Sequence, residues 1–291
     1  MNFKQSKSEK FFSVLNYVLL ALIGFITVYP LIYVFSASIS SPDAIISGKV
    51  LLLPKELTFE AYRKIIENKS IWIGYANSFF YMFAGTLVNL IFTISAAYPL
   101  SKKRLPALKF WTVFFLLTMW FQAGMIPFYL NIVSLNLLNT RTVILLAFAM
   151  TPFNMILLRT FFQSIPVSLE EAAKVDGASE FYILARIYLP LSKAGLATIG
   201  LFYAVTRWNG YFWNMILLKD DNKIPLQVML KKMIVETKIA ESIQDMDISS
   251  SVSTETLIYS TIIISVVPMM IVYPYIQKYF AEGMLLGAVK E

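Results

Sequence analysis

Six stretches of this chain, residues 14–36, 73–99, 110–130, 142–162, 192–216 and 256–280, are each apolar over the roughly 20 residues that a helix needs to cross a hydrocarbon core. Nothing else in the sequence limits the fold as strongly. Lipid offers the backbone no hydrogen-bond partners, so runs of this length must pair their own amides as helices. The reading is an all-α membrane protein with six transmembrane helices. Charged residues are 15% of the 291, against about 25% in soluble domains, and mean hydropathy is +0.64. The first run follows Lys4, Lys7 and Lys10 and ends near Ser36-Ala37-Ser38, the outline of a signal peptide. It is longer than the roughly 7–15 apolar residues of a signal h-region, so it reads as an uncleaved first span. Pro30, Pro99, Pro127, Pro152, Pro268 and Pro274 lie within or at the ends of spans. Neighbouring helices must pair the backbone groups such prolines free, which implies a packed bundle.

Charge sets the orientation. With both termini in the cytoplasm, the inner segments carry thirteen Lys and Arg and the outer loops eleven. Density is more telling than the count, because Lys102-Lys103-Arg104 and Lys109 crowd one short loop. The net charge of +7 belongs to loops beside spans, so topology and not nucleic acid accounts for it. This arrangement makes 1–13 a cytoplasmic tail, 14–281 the transmembrane domain and 282–291 a second cytoplasmic tail. Two outer loops are long. Residues 37–72 include Thr58 as the cap of a short helix with Tyr62, Ile65 and Ile66. Residues 217–255 include an amphipathic run from Leu226 to Ile239 and a polar connection from Ser242 to Ser253.

The chain has no cysteine and no histidine. Disulfides, thiol nucleophiles, thiolate or imidazole metal sites and imidazole bases are therefore excluded. The Gly48-Lys49 pair has Asp43 where a P-loop needs its leading glycine, so no nucleotide is bound in that way. All acidic residues lie in loops, at span edges or in the tails. A proton-coupled carrier would need a titratable relay inside the spans, and a membrane enzyme a convergent acid–base pair; neither pattern is present. No catalytic residue and no metal site is assigned.

The segment Pro166–Pro190 is polar between apolar runs. Ser168 and Glu171 fit a capping box, and Glu170 and Glu171 suit a first helical turn. Ala172 and Ala173 propagate a helix, and Gly177 suits the left-handed residue that ends it. Ser179 caps a second helix, Pro190 stops it, and Phe181, Leu184, Ile187 and Tyr188 give it an apolar face. The expectation is helix, glycine turn, helix.

The spacing of Glu171, Ala172, Ala173, Gly177, Ile187, Leu189 and Pro190 resembles the EAA loop of the permease subunits of bacterial ABC importers, at all seven positions. The whole chain is similar to the MalG-like permeases of carbohydrate importers. The similarity extends to Gly124-Met125-Ile126-Pro127, Leu138-Asn139-Thr140-Arg141, Trp208-Asn209 and the tail from Gly283 to Lys290, closest to the complex-oligosaccharide branch. The resemblance implies a multi-pass subunit of the bacterial inner (plasma) membrane. Its partners would be a second homologous permease, a dimer of ATP-binding subunits and an extracytoplasmic solute-binding protein, with membrane lipid around it. No cofactor is implied in this chain; ATP and Mg belong to the partner ATPase subunits. The loop would be the cytoplasmic coupling loop, docking on the ATPase through Glu170, Glu171, Ala172, Ala173, Asp176, Gly177, Ala178, Ile187, Leu189 and Pro190. Gly287, Ala288 and Lys290 of the tail would make a second contact.

The function implied is import of a sugar, an oligosaccharide in this branch, with phosphate, an amino acid or a peptide as the alternative cargo. Polar groups inside spans face the protein interior or a cavity. With nearby aromatic rings, Asn77, Asn154, Tyr203, Arg207, Trp208, Asn209 and Trp213 are the substrate-path candidates. The plainer reading of this cluster is an aromatic belt with Arg207 snorkelling to head groups.

Overall fold

The computed structural model describes residues 7–121, 123–243 and 254–288, and every regular element among them is helical. The first part of the chain forms α1 (Lys7–Ser38), α2 (Pro42–Ile46), α3 (Glu60–Glu67), α4 (Lys69–Ser101), α5 (Leu108–Trp120) and α6 (Met125–Ser134). Then come α7 (Arg141–Leu146), α8 (Pro152–Gln163), α9 (Val167–Val175), α10 (Glu180–Ile183), a π-helical turn (Leu184–Tyr188) and α11 (Leu189–Leu191). The last are α12 (Lys193–Trp208), α13 (Phe212–Leu217), α14 (Leu226–Ile243) and α15 (Thr254–Ala288). The chain divides into two compact units, 1–69 with 230–267 and 70–229 with 268–291.

Not every apolar run is a continuous helix. Two helices, Ser8–Ser38 and Lys69–Ser101, are each long and apolar enough to cross a membrane, and counting two bent helix pairs as spans gives up to four. The run 110–130 is interrupted between α5 and α6, 142–162 between α7 and α8, and 192–216 between α12 and α13. Local chemistry explains the second break. Pro152 sits at the first position of α8, and Thr151 before it is extended (φ −109°, ψ 132°), as a residue preceding proline must be. The run 256–280 lies inside α15, which continues unbroken to Ala288.

In the first unit, serines at the end of α1 fasten the loop that follows. Ser36 Oγ donates to the Leu52 carbonyl (2.7 Å), Ser40 Oγ accepts from the Lys55 amide (3.0 Å), and the Ser38 and Tyr62 hydroxyls lie 2.7 Å apart. Ser260 of α15 donates to the Ser38 carbonyl (3.0 Å), and Tyr33 meets Tyr259 edge-on at 5.7 Å. The sequence reading missed α2, which Ser41 caps. Thr58 lies one residue before the cap position, which Phe59 occupies; its hydroxyl accepts from the Glu60 amide at 3.4 Å. The Leu226–Ile239 run is helical within α14, and residues 244–253 lie outside the described set.

In the second unit, α4 buries a face running from Ile71 through Gly74, Ser78, Tyr81, Gly85, Asn89, Thr93 and Ala97 to Leu100. The three- and four-residue spacing matches one stripe of a helix. The lower half of that stripe joins Met155, Leu158 and Phe162 of α8, Ile199 and Tyr203 of α12, and Ile183 and Tyr188 of the 166–190 segment in one core cluster. That segment is thus packed directly against the ends of three helices.

Candidate functional site: the 166–190 hairpin and its seat

The hairpin forms by local signals. α9 ends in a left-handed Gly177 (φ +78°). The Gly177 amide donates to the Lys174 carbonyl (3.0 Å) and the Ala178 amide to the Ala173 carbonyl (2.9 Å), the paired bonds of a Schellman close. Ser179 then caps α10, its hydroxyl accepting from the Tyr182 amide at 3.3 Å. The capping box is a correction: α9 starts at Val167, with Pro166 at the cap position and no side-chain cap. Ser168 is already inside the helix.

Pro190 does not stop the second arm as expected. The helix passes through it to Leu191, and the turn before it widens into a π-helix, where the Leu189 amide reaches back five residues to the Leu184 carbonyl. Proline offers no amide and crowds the carbonyl four residues earlier; a widened turn relieves that crowding. The π turn also changes which side chains face inward. Ile183 and Tyr188 are buried, whereas Phe181, expected on the apolar face, is 78% exposed.

An ion cluster fastens the hairpin to the rest of the unit. Glu170 points inward and is buried. Its Oε2 accepts from Lys102 Nζ and from the Tyr188 hydroxyl (2.7 Å); its Oε1 accepts from Lys174 Nζ and lies 3.3 Å from Arg104 Nη2. Arg104 also pairs with Glu180, whose other oxygen accepts from the Tyr98 hydroxyl at 2.8 Å. Lys102 Nζ lies over the rings of Tyr188 (3.7 Å) and Tyr98 (4.2 Å), a cation–π arrangement. Burial pushes the Glu170 carboxyl up, but hydrogen bonds from Lys102, Lys174 and Tyr188 outweigh it and hold the group at about 2. Burial lowers Lys102, an effect its bond to Glu170 only partly offsets. A cavity of about 810 Å³ opens beside this cluster, between residues 101–104, the end of α8 and the start of α9.

The candidate docking residues therefore divide. Glu171, Ala172, Asp176, Gly177 and Pro190 are exposed, Ala173, Ala178, Ile187 and Leu189 are half-buried, and Glu170 is committed within the chain. Sequence reasoning missed Lys102, Arg104 and Tyr98 as partners of the hairpin, and the bond from Tyr188 to Glu170 within it. The crowded Lys102–Arg104 charges were the visible signal, read only as topology. Gly287 and Ala288 lie in α15, and Lys290 is outside the described residues.

The substrate-path candidates do not converge. Asn77 is buried; its amide donates to the carbonyls of Asn222 (2.9 Å) and Ile224 (3.1 Å), and its oxygen accepts from Arg141 (2.9 Å). Asn154 is buried in the first turn of α8. The Tyr203 hydroxyl lies 2.7 Å from that of Thr93 and accepts from the Thr151 amide (3.1 Å). Trp208 is buried against the rings of Phe79 (5.2 Å) and Tyr75 (6.3 Å). Trp213, half-buried, packs on Phe128 (4.6 Å) and Phe148 (5.9 Å), while Asn209 is exposed. Arg207 is 8% exposed, which overturns the snorkelling reading. Its donors are taken by Asn89 and by the carbonyls of Ile144, Leu145 and Phe148.

Residues 2–285 match the family described as binding-protein-dependent transport system inner membrane component. The chain belongs to that family. It is therefore an inner-membrane permease subunit of an importer that depends on a separate binding protein, and not an enzyme in its own right. Among relatives of this permease family, the chain is 39% identical over 286 residues to the polygalacturonan/rhamnogalacturonan transport system permease protein YtcP of Bacillus subtilis, covering 97% of this chain and 99% of that one. It is 35% identical over 285 residues to protein LplC of the same organism, covering 98% and 97%. A solved bacterial ABC transporter involved in import of the acidic polysaccharide alginate contains a chain with TM-score 0.89 and 45% identity, covering 96% of this permease and 100% of that chain.

Proposed function

We propose that this permease forms half of the translocation path of an ATP-driven importer of oligosaccharides, with the 166–190 hairpin on the cytoplasmic side as the element gripped by the ATPase. The six crossings would be α1, α4, α5 with α6, α7 with α8, α12 with α13, and α15, with both termini cytoplasmic. The second half of the path would come from a homologous permease, the energy from an ATPase dimer, and the cargo from an extracytoplasmic binding protein. The observation that carries the reading is the two-sidedness of the hairpin. Its inner side is fixed by the Glu170 cluster, while its outer side leaves Val175 88%, Phe181 78% and Leu169 44% exposed. Exposed apolar side chains grouped on a polar segment mark a protein interface. A fixed inner side lets a push on the outer side move α4 and α12 rather than flex a loop. The tail contact through Gly287, Ala288 and Lys290 is part of the same proposal and rests on resemblance.

The cargo follows from the relatives. YtcP and the solved alginate importer are named for acidic polysaccharides, so an acidic oligosaccharide is the first cargo to test. Direct sugar contact by this chain narrows to Asn209 and Trp213, because Asn154 and Trp208 are buried and the polar groups of Asn77, Tyr203 and Arg207 are engaged within the protein. The test of docking is Phe181→Asp and Glu171→Lys in the co-expressed complex. Both variants leave the Glu170 cluster untouched. They are expected to lose the ATPase on purification while keeping the partner permease; retention of the ATPase in both would overturn the docking reading.

A further inference from the structure

Residues 147–151 are not helical, which leaves the Ile144 and Leu145 carbonyls of α7 without their usual donors, and Pro152 has no amide hydrogen to offer the Phe148 carbonyl. Arg207 supplies them. Nη1 donates to the Ile144 carbonyl, and Nη2 donates to the carbonyls of Leu145 and Phe148 at 3.1 Å each. Nε donates to Asn89 Oδ1 (3.0 Å), and the Asn89 amide donates to the Phe148 carbonyl (2.5 Å). Among the described residues no carboxylate pairs with Arg207. Its positive charge is met instead by the carbonyl oxygens of Ile144, Leu145 and Phe148 and by Asn89 Oδ1. The site is built to admit it: a Cβ at Gly85 would stand 2.8 Å from Arg207 Nε.

α12 thus holds both sides of the break. Arg207 grips the α7 side, and Tyr203 grips Thr151 on the α8 side. At the base of α12, Gly195 lies so close to α8 that a Cβ would come within 2.6 Å of the Phe161 ring. α12 begins at Lys193, two residues after α11 ends at Leu191. No continuous helical ladder crosses residues 147–151, so a push along α8 would flex that joint unless something bridges it.

We propose that Arg207 is the positioning residue that carries the hairpin's movement past this joint, locking α7, α8 and α12 into one body; the proposal rests on the ATPase-docking reading above. The chain has no cysteine, which permits a test that needs no known cargo. Met150→Cys is placed at the joint in the full complex, and its labelling rate by N-ethylmaleimide is measured without nucleotide and with ATP plus vanadate. In that background nucleotide trapping changes the rate by about fivefold or more, the lower end of allosteric couplings. Adding Arg207→Gln abolishes the change while ATP hydrolysis continues. Arg207→Lys keeps the charge but not the fork and retains part of the change. Adding Pro152→Ala to Arg207→Gln supplies an amide for the Phe148 carbonyl and recovers part of it. An undiminished change with Arg207→Gln, or no change in the background, would overturn the proposal. If Arg207→Gln does not assemble, an undiminished change with Arg207→Lys would overturn it instead. Failure of the docking reading is seen separately, as retained ATPase in the Phe181 and Glu171 variants.

Discussion

At Glu170, burial and pairing oppose each other. A lone buried carboxylate would be costly, but this one has three side-chain donors, two of them lysines, and a third cation, Arg104, nearby. Glu170→Gln leaves Lys102 without its ion-pair partner and leaves Lys174 with only Glu180, 3.5 Å away. Breaking a buried pair from one side costs on the order of 3 kcal/mol. We expect the hairpin to become open to proteolysis after that change while the complex remains in the membrane, a result limited digestion will check. The pH dependence has a definite sign. The carboxyl is held at about 2 against an ordinary 4.5, so its contribution to the seat is complete above the ordinary value and is lost as pH falls from there toward the folded one. Between about pH 5 and 8 the seat does not respond to pH through this group. A proteolysis rate for the hairpin that rises steeply within that window would contradict the assignment.

At the scale of the element, the hairpin is two short arms joined where Gly177 is left-handed. No atom lies within 4 Å of a Cβ built there, so Gly177→Ala pays only for backbone conformation. That penalty is about 1 kcal/mol. If the ATPase grips the hairpin in this shape and the free hairpin relaxes out of it, the ATPase's affinity for the membrane subunits falls by up to about fivefold, measurable by titrating ATPase onto the purified permease pair. The hairpin was legible in sequence because its determinants are local: the glycine, the Ser179 cap, the alanine pair. What was not legible is set at a distance. Lys102, which pairs with Glu170 in the buried seat, lies 68 residues earlier in the chain. The π turn exchanged Phe181 for Ile183 on the inner face, which a constant helical period does not foresee. Pro166 moved the start of α9 ahead of Ser168. Arg207 read as an interfacial cation because its acceptors exist only where the α7–α8 backbone breaks, and Pro152 was the available sign of that break.

For the whole molecule, the apolar runs announced the class, and family membership places the chain in the inner membrane as a transport subunit. All six runs fall on helical segments, but among the described residues only those in α1 and α4 are continuous helices long and apolar enough to cross a membrane, and prolines and glycines divide several of the others into shorter helices. A strain lacking this chain is expected to lose uptake of an acidic oligosaccharide such as oligogalacturonate and to regain it on complementation; unchanged uptake would move the cargo elsewhere. The central claim is that the hairpin's exposed face is what the ATPase holds. The direct measurement is Val175→Cys in this cysteine-free chain, carrying a benzophenone and irradiated in the assembled complex. The account predicts a single adduct between this permease and the ATPase subunit, and no labelling of the same cysteine by an impermeant maleimide from outside intact cells. Labelling from outside, with no ATPase adduct, would contradict it.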